Sequence, residues 1–318
     1  MTNGLWPTTR RRERILVFAP GGSGKSHAYA QIAAAMEPGG TRTMYVIETD
    51  PTLDAILEHP DLAGVGVREA WRDGEADDGW ANYLSDDGVV VVYRVTGWPE
   101  LRDAMTEVWA RAEFEDWIVL DNITNPWEWV QDWYWTEVVG SEQDEFLLQI
   151  RKAQLAQDTG STAKAVESKF NEWSFINPHF SKQFTEPVLN PPCHLYLTAE
   201  QTDLVKVFDE KDRVNWAMYS TIGVKPKAQK KSGHLTHTVL WMTKTKTGEH
   251  RMTTVKDRGG RAEWQREEWT NFAEDYLSGT GGWQWKQNRT TGSQSATTSS
   301  PSKAQSKPAQ PKPKPKAP

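Results

Sequence analysis

One stretch of the chain has the spacing needed to hold phosphate: Ala19-Pro20-Gly21-Gly22-Ser23-Gly24-Lys25-Ser26. It follows the pattern G-x-x-x-x-G-K-[ST], with Ala19 at a first position that needs a small residue more than a glycine. Gly21, Gly22 and Gly24 let the backbone turn tightly around Ser23, so that successive N–H groups point at phosphate oxygens. Lys25 brings a positive charge to the β- and γ-phosphates, and the Ser26 hydroxyl is a ligand for Mg2+. A helix starting here would aim its positive dipole end at the same anion, with His27 at its start. The expected partner is a carboxylate at the end of a neighbouring strand. Asp121 fits, because four apolar residues (117–120) precede it and it could hold Mg2+ through water. Hydrolysis also needs a group that orients or deprotonates the attacking water. Glu48 and Asp50 close another apolar run; Glu48 is preferred, since Asp50-Pro51 also reads as a turn or helix start. Thr198, Glu200 and Gln201 follow a later apolar run, and either sense the γ-phosphate or simply lead out of a strand.

These side chains need elements to position them. Residues 15–19 are a continuous apolar run ending at the glycines, the signature of a strand buried on both faces. The alanine-rich residues 26–36 predict the helix that follows, stopping at Pro38-Gly39-Gly40. Further strands are expected over 43–47, 89–95 and 117–120, a helix over 99–112, and an acidic surface loop over 73–87. Strands alternating with helices, with polar residues at strand C-termini, predict an α/β fold with a parallel sheet and helices on both faces. Residues 126–189 are helical in composition and carry a cluster of Trp127, Trp129, Trp133, Tyr134 and Trp135. This cluster either packs between helices or offers stacking platforms for bases. A strand over 195–198, a Lys-rich loop over 223–234, a hairpin over 235–245 and 251–255, and a helix over 267–277 complete the pattern.

The chain has 318 residues with 17 Trp, 8 Tyr and 9 Phe, enough for an apolar core despite its polar average. Its net charge of −6 is uneven. Residues 286–318 hold seven Lys and Arg and no acid, so residues 1–285 carry 30 basic against 43 acidic residues, a net −13. That excludes a uniformly basic DNA-coating protein. The single cysteine, Cys193, excludes a disulfide framework or a Cys-based zinc cluster and fits a reducing compartment. No apolar run approaches the ~18 residues of a membrane span, and the five apolar residues after the Arg-rich start are too few for a signal peptide. The expectation is a cytoplasmic protein with no membrane partner. Residues 1–13 read as an N-terminal arm, 14–285 as one folded domain with 126–189 as a helical, Trp-rich insertion, and 286–318 as a disordered basic Pro/Lys/Ser tail.

With the Walker A stretch 19–26, the acid closing the second strand, and Asp121-Asn122-Ile123-Thr124 as Walker B, the chain resembles RecA-like ATPases. Thr198-Ala199-Glu200-Gln201 after a later strand, and a hairpin closing on Lys256-Asp257-Arg258, extend the resemblance over residues 14–260. More narrowly, the chain is similar to phage-encoded nucleotide-binding proteins of the AAA-ATPase/RecA-like class, some of which act in single-strand annealing and recombination. The resemblance implies a P-loop NTPase that binds ATP and Mg2+ and hydrolyses ATP in DNA recombination, repair or replication, in the host cytoplasm. It also implies a homo-oligomer with nucleotide at subunit interfaces, and single-stranded DNA as a partner. Carried over, Lys25 and Ser26 hold phosphate and Mg2+, Asp121 is the Walker B acid and Glu48 the catalytic carboxylate. Gln201 is then the polar switch, and Lys256 and Arg258 are cations acting on the next protomer's nucleotide. The insertion 126–189 exceeds what a minimal core needs, and no RecA-type DNA-binding loop is evident.

Two other classes remain: a P-loop kinase of a small acceptor, and a nucleotide-gated scaffold with little turnover. A kinase needs an Arg-bearing lid, and 126–189 contains only Arg151. For DNA contact the sequence offers Lys225, Lys227, Lys230, Lys231 and His234 in one loop, and the tail; solvation alone also explains both. The seven His show no metal-binding spacing.

Overall fold

The computed structural model describes residues 12–36, 42–50, 65–70, 90–140, 148, 173–204, 213–229, 232–258 and 263–277. The first apolar run is β1, Arg14–Ala19, followed by α1, Lys25–Ala35. Then come β2, Met44–Glu48, β3, Val67–Ala70, and β4, Val90–Arg94. Next are α2, Trp98–Arg111, β5, Trp117–Asp121, and α3, Thr124–Trp133, which runs on as a π-helical turn over Tyr134–Val139. After these, α4, Trp173–Phe180, passes through a π-helical turn, Ser181–Thr185, into α5, Glu186–Leu189. The remaining elements are β6, His194–Asp203, α6, Arg213–Tyr219, β7, Val224–Pro226, and α7, Ser232–Leu235. They end with β8, Thr238–Lys244, β9, His250–Asp257, β10, Gln265–Glu268, and a π-helical turn, Ala273–Leu277.

The strands form one sheet in the order β10-β9-β8-β1-β6-β5-β2-β4-β3, with β7 added on β6. From β8 to β3 neighbouring strands are parallel; β9 is antiparallel to both β8 and β10, and β7 to β6. The result is a mixed α/β fold with a large, mostly parallel sheet flanked by helices. Leu16, Phe18, Ile47, Leu120, Leu195 and Leu197 share one core with α2 and with Val130, Ile176, Phe180 and Phe184 from the helical segments. Because strand side chains alternate, Ile15, Val17 and Tyr196 face the other way. There Tyr196 meets Tyr29 of α1 and Phe272 edge-on. Helix α2 forms where expected. Pro99 sits in its first turn, Glu100 accepts the Thr96 N–H at 2.7 Å, and Trp98, Leu101, Met105 and Val108 make its buried stripe.

Three expectations need correction, and others leave the described residues. Strand β6 runs five residues past Thr198, because β7 pairs with its polar end (Gln201 opposite Pro226, Asp203 opposite Val224). The Lys-rich segment 223–234 is therefore not one loop: it holds β7 and most of α7. The helix expected over 267–277 is instead the end of β10, whose polar residues pair with β9 in an irregular register, and a short turn from Ala273. In the Trp-rich segment, Trp135 is buried and Trp133 stacks on His179 at 4.7 Å, so these rings pack the helices together. Loop 73–87, Lys230, Lys231, the tail and most of 141–172 lie outside the described residues.

Candidate functional site

The turn between β1 and α1 rests on glycine geometry at Gly24. Its φ is +95°, and a Cβ there would lie 2.8 Å from His250 Nδ1 and 3.2 Å from Trp269 Cζ2. Gly21 and Gly22 face open space. Helix α1 begins at Lys25 with no side-chain cap and no acid in its first turn, so its first N–H groups are directed at the cavity in front of them. The Lys25 ammonium folds back over the turn, 3.3 Å from the carbonyl oxygens of both Ala19 and Pro20. Burial lowers its pKa, opposed by the charges of Asp121, Glu200 and Asp50.

Strand order decides what faces this turn. β6 lies between β1 and β5, so its Thr198 reaches Asp121 and its Glu200 opens into the space beside the glycine turn. One row crosses the sheet here: Arg94, Glu48 and Asp121 in register, with Thr198 beside Asp121. The Asp121 carboxylate, 5 % exposed, gathers three hydroxyls. Its Oδ2 accepts from Ser26 Oγ at 2.7 Å and Tyr29 OH at 3.0 Å, and its Oδ1 from Thr198 Oγ1 at 2.5 Å. The ends of β2 and β5 are tied together by Thr49 and Asn122. The Asn122 N–H donates to Thr49 Oγ1 at 2.9 Å, and the Asn125 side chain donates to the Thr49 carbonyl at 2.7 Å.

A cavity of about 960 Å3 opens over this arrangement, within the range of sites that hold nucleotide-sized ligands. Its lining includes Gly21, Gly22, Ser23, Gly24, Lys25, Ser26, His27, Asp121 and Gln201, all anticipated from the sequence. Asp50 and Glu200 line it as well, and Glu48 is not among its lining residues. Glu48 is 3 % exposed and faces the Arg94 guanidinium at 3.6 Å. Of the two candidates, Asp50 is the one that lines the cavity. Glu48 is the last residue of β2, whereas Asp50 lies beyond the strand end and turns into the cavity. Burial raises the Asp50 pKa, with Asp121 and Glu200 adding to the rise and Lys25 opposing it. Glu200 pairs with Lys227 at 3.6 Å, and Lys227 also pairs with Glu128 at 3.2 Å. Gln201 accepts from Trp241 Nε1 at 3.0 Å, and His27 shares a hydrogen bond with Gln31 at 3.0 Å.

Lys256 and Arg258 do not reach the cavity of their own chain. β9 is antiparallel to β8, so its start at His250 lies beside the glycine turn and its end lies at the opposite pole of the sheet. The Lys256 ammonium donates to the carbonyls of Gly233 at 2.8 Å and Thr236 at 2.6 Å. Lys244, His250 and Thr270 line the cavity instead. They have no motif of their own; only the hairpin pairing brings them there.

Among the described residues no group of three or more His, Cys, Asp or Glu side chains could hold a metal ion. Ser26 Oγ and Asp121 are a pair of hard oxygens. That set suits Mg2+, which keeps several waters and takes few protein ligands. Among the described residues no helix is long and apolar enough to cross a membrane. No protein-family model matches the chain, and no curated protein matches it.

Proposed function

We propose that the protein is a P-loop NTPase of RecA-like type that binds Mg·ATP and hydrolyses it, with turnover coupled to single-stranded DNA. The observation that carries this reading is the Ser26–Asp121 hydrogen bond at the start of an uncapped helix, beside Lys25 and a glycine turn. The N–H groups of 21–26 and the Lys25 ammonium bind the β- and γ-phosphates. Ser26 and Asp121 would hold Mg2+, which when bound draws negative charge off the phosphate oxygens. Asp50 and Glu200 are the carboxylates suited to orient the attacking water, and burial raises the pKa of Asp50, in the direction that favours proton acceptance. Lys227 holds Glu200 from the β7 side.

Lys25→Ala is expected to abolish ATP turnover while circular dichroism and the urea midpoint stay near wild type. Turnover at the wild-type rate in that variant would sink the assignment. Assaying wild type with and without single-stranded DNA separates the classes. Stimulation by DNA supports the coupled ATPase, ADP release dependent on a small acceptor supports a kinase, and tight binding with negligible turnover supports a scaffold.

A further inference from the structure

The cations that the nucleotide cavity does not use gather at the opposite pole. Arg14 opens β1, and its carbonyl accepts the His237 N–H at 2.9 Å; the His237 carbonyl in turn accepts the Arg258 N–H at 3.1 Å. Arg14, His237 and Arg258 thus follow one another across β1, β8 and β9, with Lys256 beside them. Strands lie about 4.8 Å apart, so this row spans roughly 10 Å. Arg12 extends it on the β6 side, with its guanidinium 5.1 Å over the Phe114 ring. A second cavity, about 350 Å3, opens here between Arg12, Arg14, Phe114, Asn190 and His237.

The groups at this pole are arranged for an anion. Arg14 donates Nε–H to His237 Nε2 at 3.2 Å, which holds the guanidinium in place. Its Nη1 donates to the Leu189 carbonyl at 2.5 Å. Lys256 is pushed down to about 8 by burial and then by Arg258 and Arg14; burial, Lys256 and Arg258 lower His234. Acids lie near these cations as well. Asp257 accepts from Thr238 at 3.2 Å and Tyr276 at 3.0 Å, Glu13 is buried, and Glu115 pairs with Arg42 at 2.8 Å. Guanidinium forks match phosphate oxygens, and a basic groove with an aromatic ring is how single strands are held without sequence preference. A 10 Å row covers about three nucleotides at the ~3.4 Å rise of a stacked strand. A duplex would keep its bases from the concave pocket at Phe114.

We propose that this pole is a binding site for single-stranded nucleic acid, with phosphates on Arg12, Arg14 and Arg258 and a base against Phe114. Only the choice of polymer rests on the function proposed above; the site is distinct from the nucleotide cavity.

The test is binding of fluorescein-labelled oligo(dT) to the full chain, without ATP, across a salt series. Arg12→Glu/Arg258→Glu changes two exposed side chains and is compared with Lys182→Glu/Lys246→Glu, which makes the same charge change at other exposed positions. The first pair is expected to weaken binding at least about 30-fold. It should also lower the slope of log K against log salt by about 1.4, from ~0.7 per single-strand phosphate contact. The second pair should change affinity less than about threefold and leave the slope alone. Phe114→Ala is expected to weaken binding about tenfold with no change of slope. Arg12→Gln/Arg258→Gln, expected to lose about tenfold, serves if the charge-reversed protein does not fold. Equal losses in the two pairs, no binding by wild type, or competition by dTMP as strong as by oligo(dT) would each overturn the site. Failure of the ATPase reading would show separately, as absent turnover in a protein that still binds oligo(dT) at this pole.

Discussion

Replacing Asp121 by alanine probes the centre of the nucleotide cavity without any ligand. Its carboxylate accepts hydrogen bonds from Ser26, Tyr29 and Thr198 at 2.7, 3.0 and 2.5 Å. Ser26 is only partly buried and can turn to water when the acceptor goes. Tyr29 and Thr198, 2 % and 0 % exposed, cannot. A buried donor left unsatisfied costs about 1–3 kcal/mol. Two such donors predict a loss of about 2–6 kcal/mol, a large share of the ~5–15 kcal/mol that holds a domain together. Urea unfolding followed by tryptophan fluorescence measures it. The origin of the loss is checked in a Tyr29→Phe/Thr198→Val background, where both buried donors are already gone. There Asp121→Ala should be near neutral or stabilising, because removing both partners leaves nothing unsatisfied. A wild-type cost below ~1 kcal/mol, or an equal cost in the two backgrounds, would refute the reasoning. Asp121→Ala should also lose the stabilisation by Mg·ATP that wild type gains, about 2.7 kcal/mol at 100 times Kd.

Asp50→Asn is expected to lower kcat by about 100-fold or more with little change in unfolding. Glu48→Gln should do the reverse, costing about 1–3 kcal/mol through its buried contact with Arg94 while kcat stays within a few-fold. Steady-state ATPase and urea midpoints on the same preparations decide between them. His194 is 4 % exposed, accepts the Glu13 N–H at 2.9 Å, and is pushed by burial down to about 4. Unfolded, it titrates near 6.5, so below that pH the unfolded chain binds a proton that the folded chain refuses. Stability should therefore be fully present above pH ~6.5 and fall by about 3 kcal/mol as pH drops towards 4. His194→Asn should flatten this profile, compared in urea at pH 7 and 4.5. Gly24→Ala forces an L side chain into φ +95° against His250 and Trp269. It should cost about 2 kcal/mol or more by thermal unfolding, of which His250→Ala recovers the contact part but not the backbone part.

Local chemistry made much of this protein legible in advance. The glycine turn, Lys25 and Ser26 could be read because an apolar strand and an alanine-rich helix flank them in sequence. Asp121 could be read because a four-residue apolar run ends in a single acid. Pairing register is not local, so the placement of several side chains could not be read in the same way. Glu48 and Asp50 are two residues apart and chemically alike. Glu48 closes β2 beside Arg94, and Asp50 lies past the strand end and lines the cavity. The resemblance assigns Lys256 and Arg258 to the next protomer's nucleotide. The antiparallel course of β9 carries them to the far pole and brings His250 to the turn instead. The end of β6 read as loop because its residues are polar, which is how a strand half covered by β7 alone should look.

The two ends of the strand path bear on how copies of this protein can meet. On one side β10 is Gln265-Arg266-Glu267-Glu268, exposed throughout, with an irregular register against β9 and Arg266 at φ 59°. On the other, β3 is four residues long. Short, charged or distorted outer strands make poor templates for a strand from another molecule. A sheet this broad and apolar would otherwise invite edge-to-edge growth and aggregation. Among the described residues, both margins of the sheet thus discourage edge-to-edge growth.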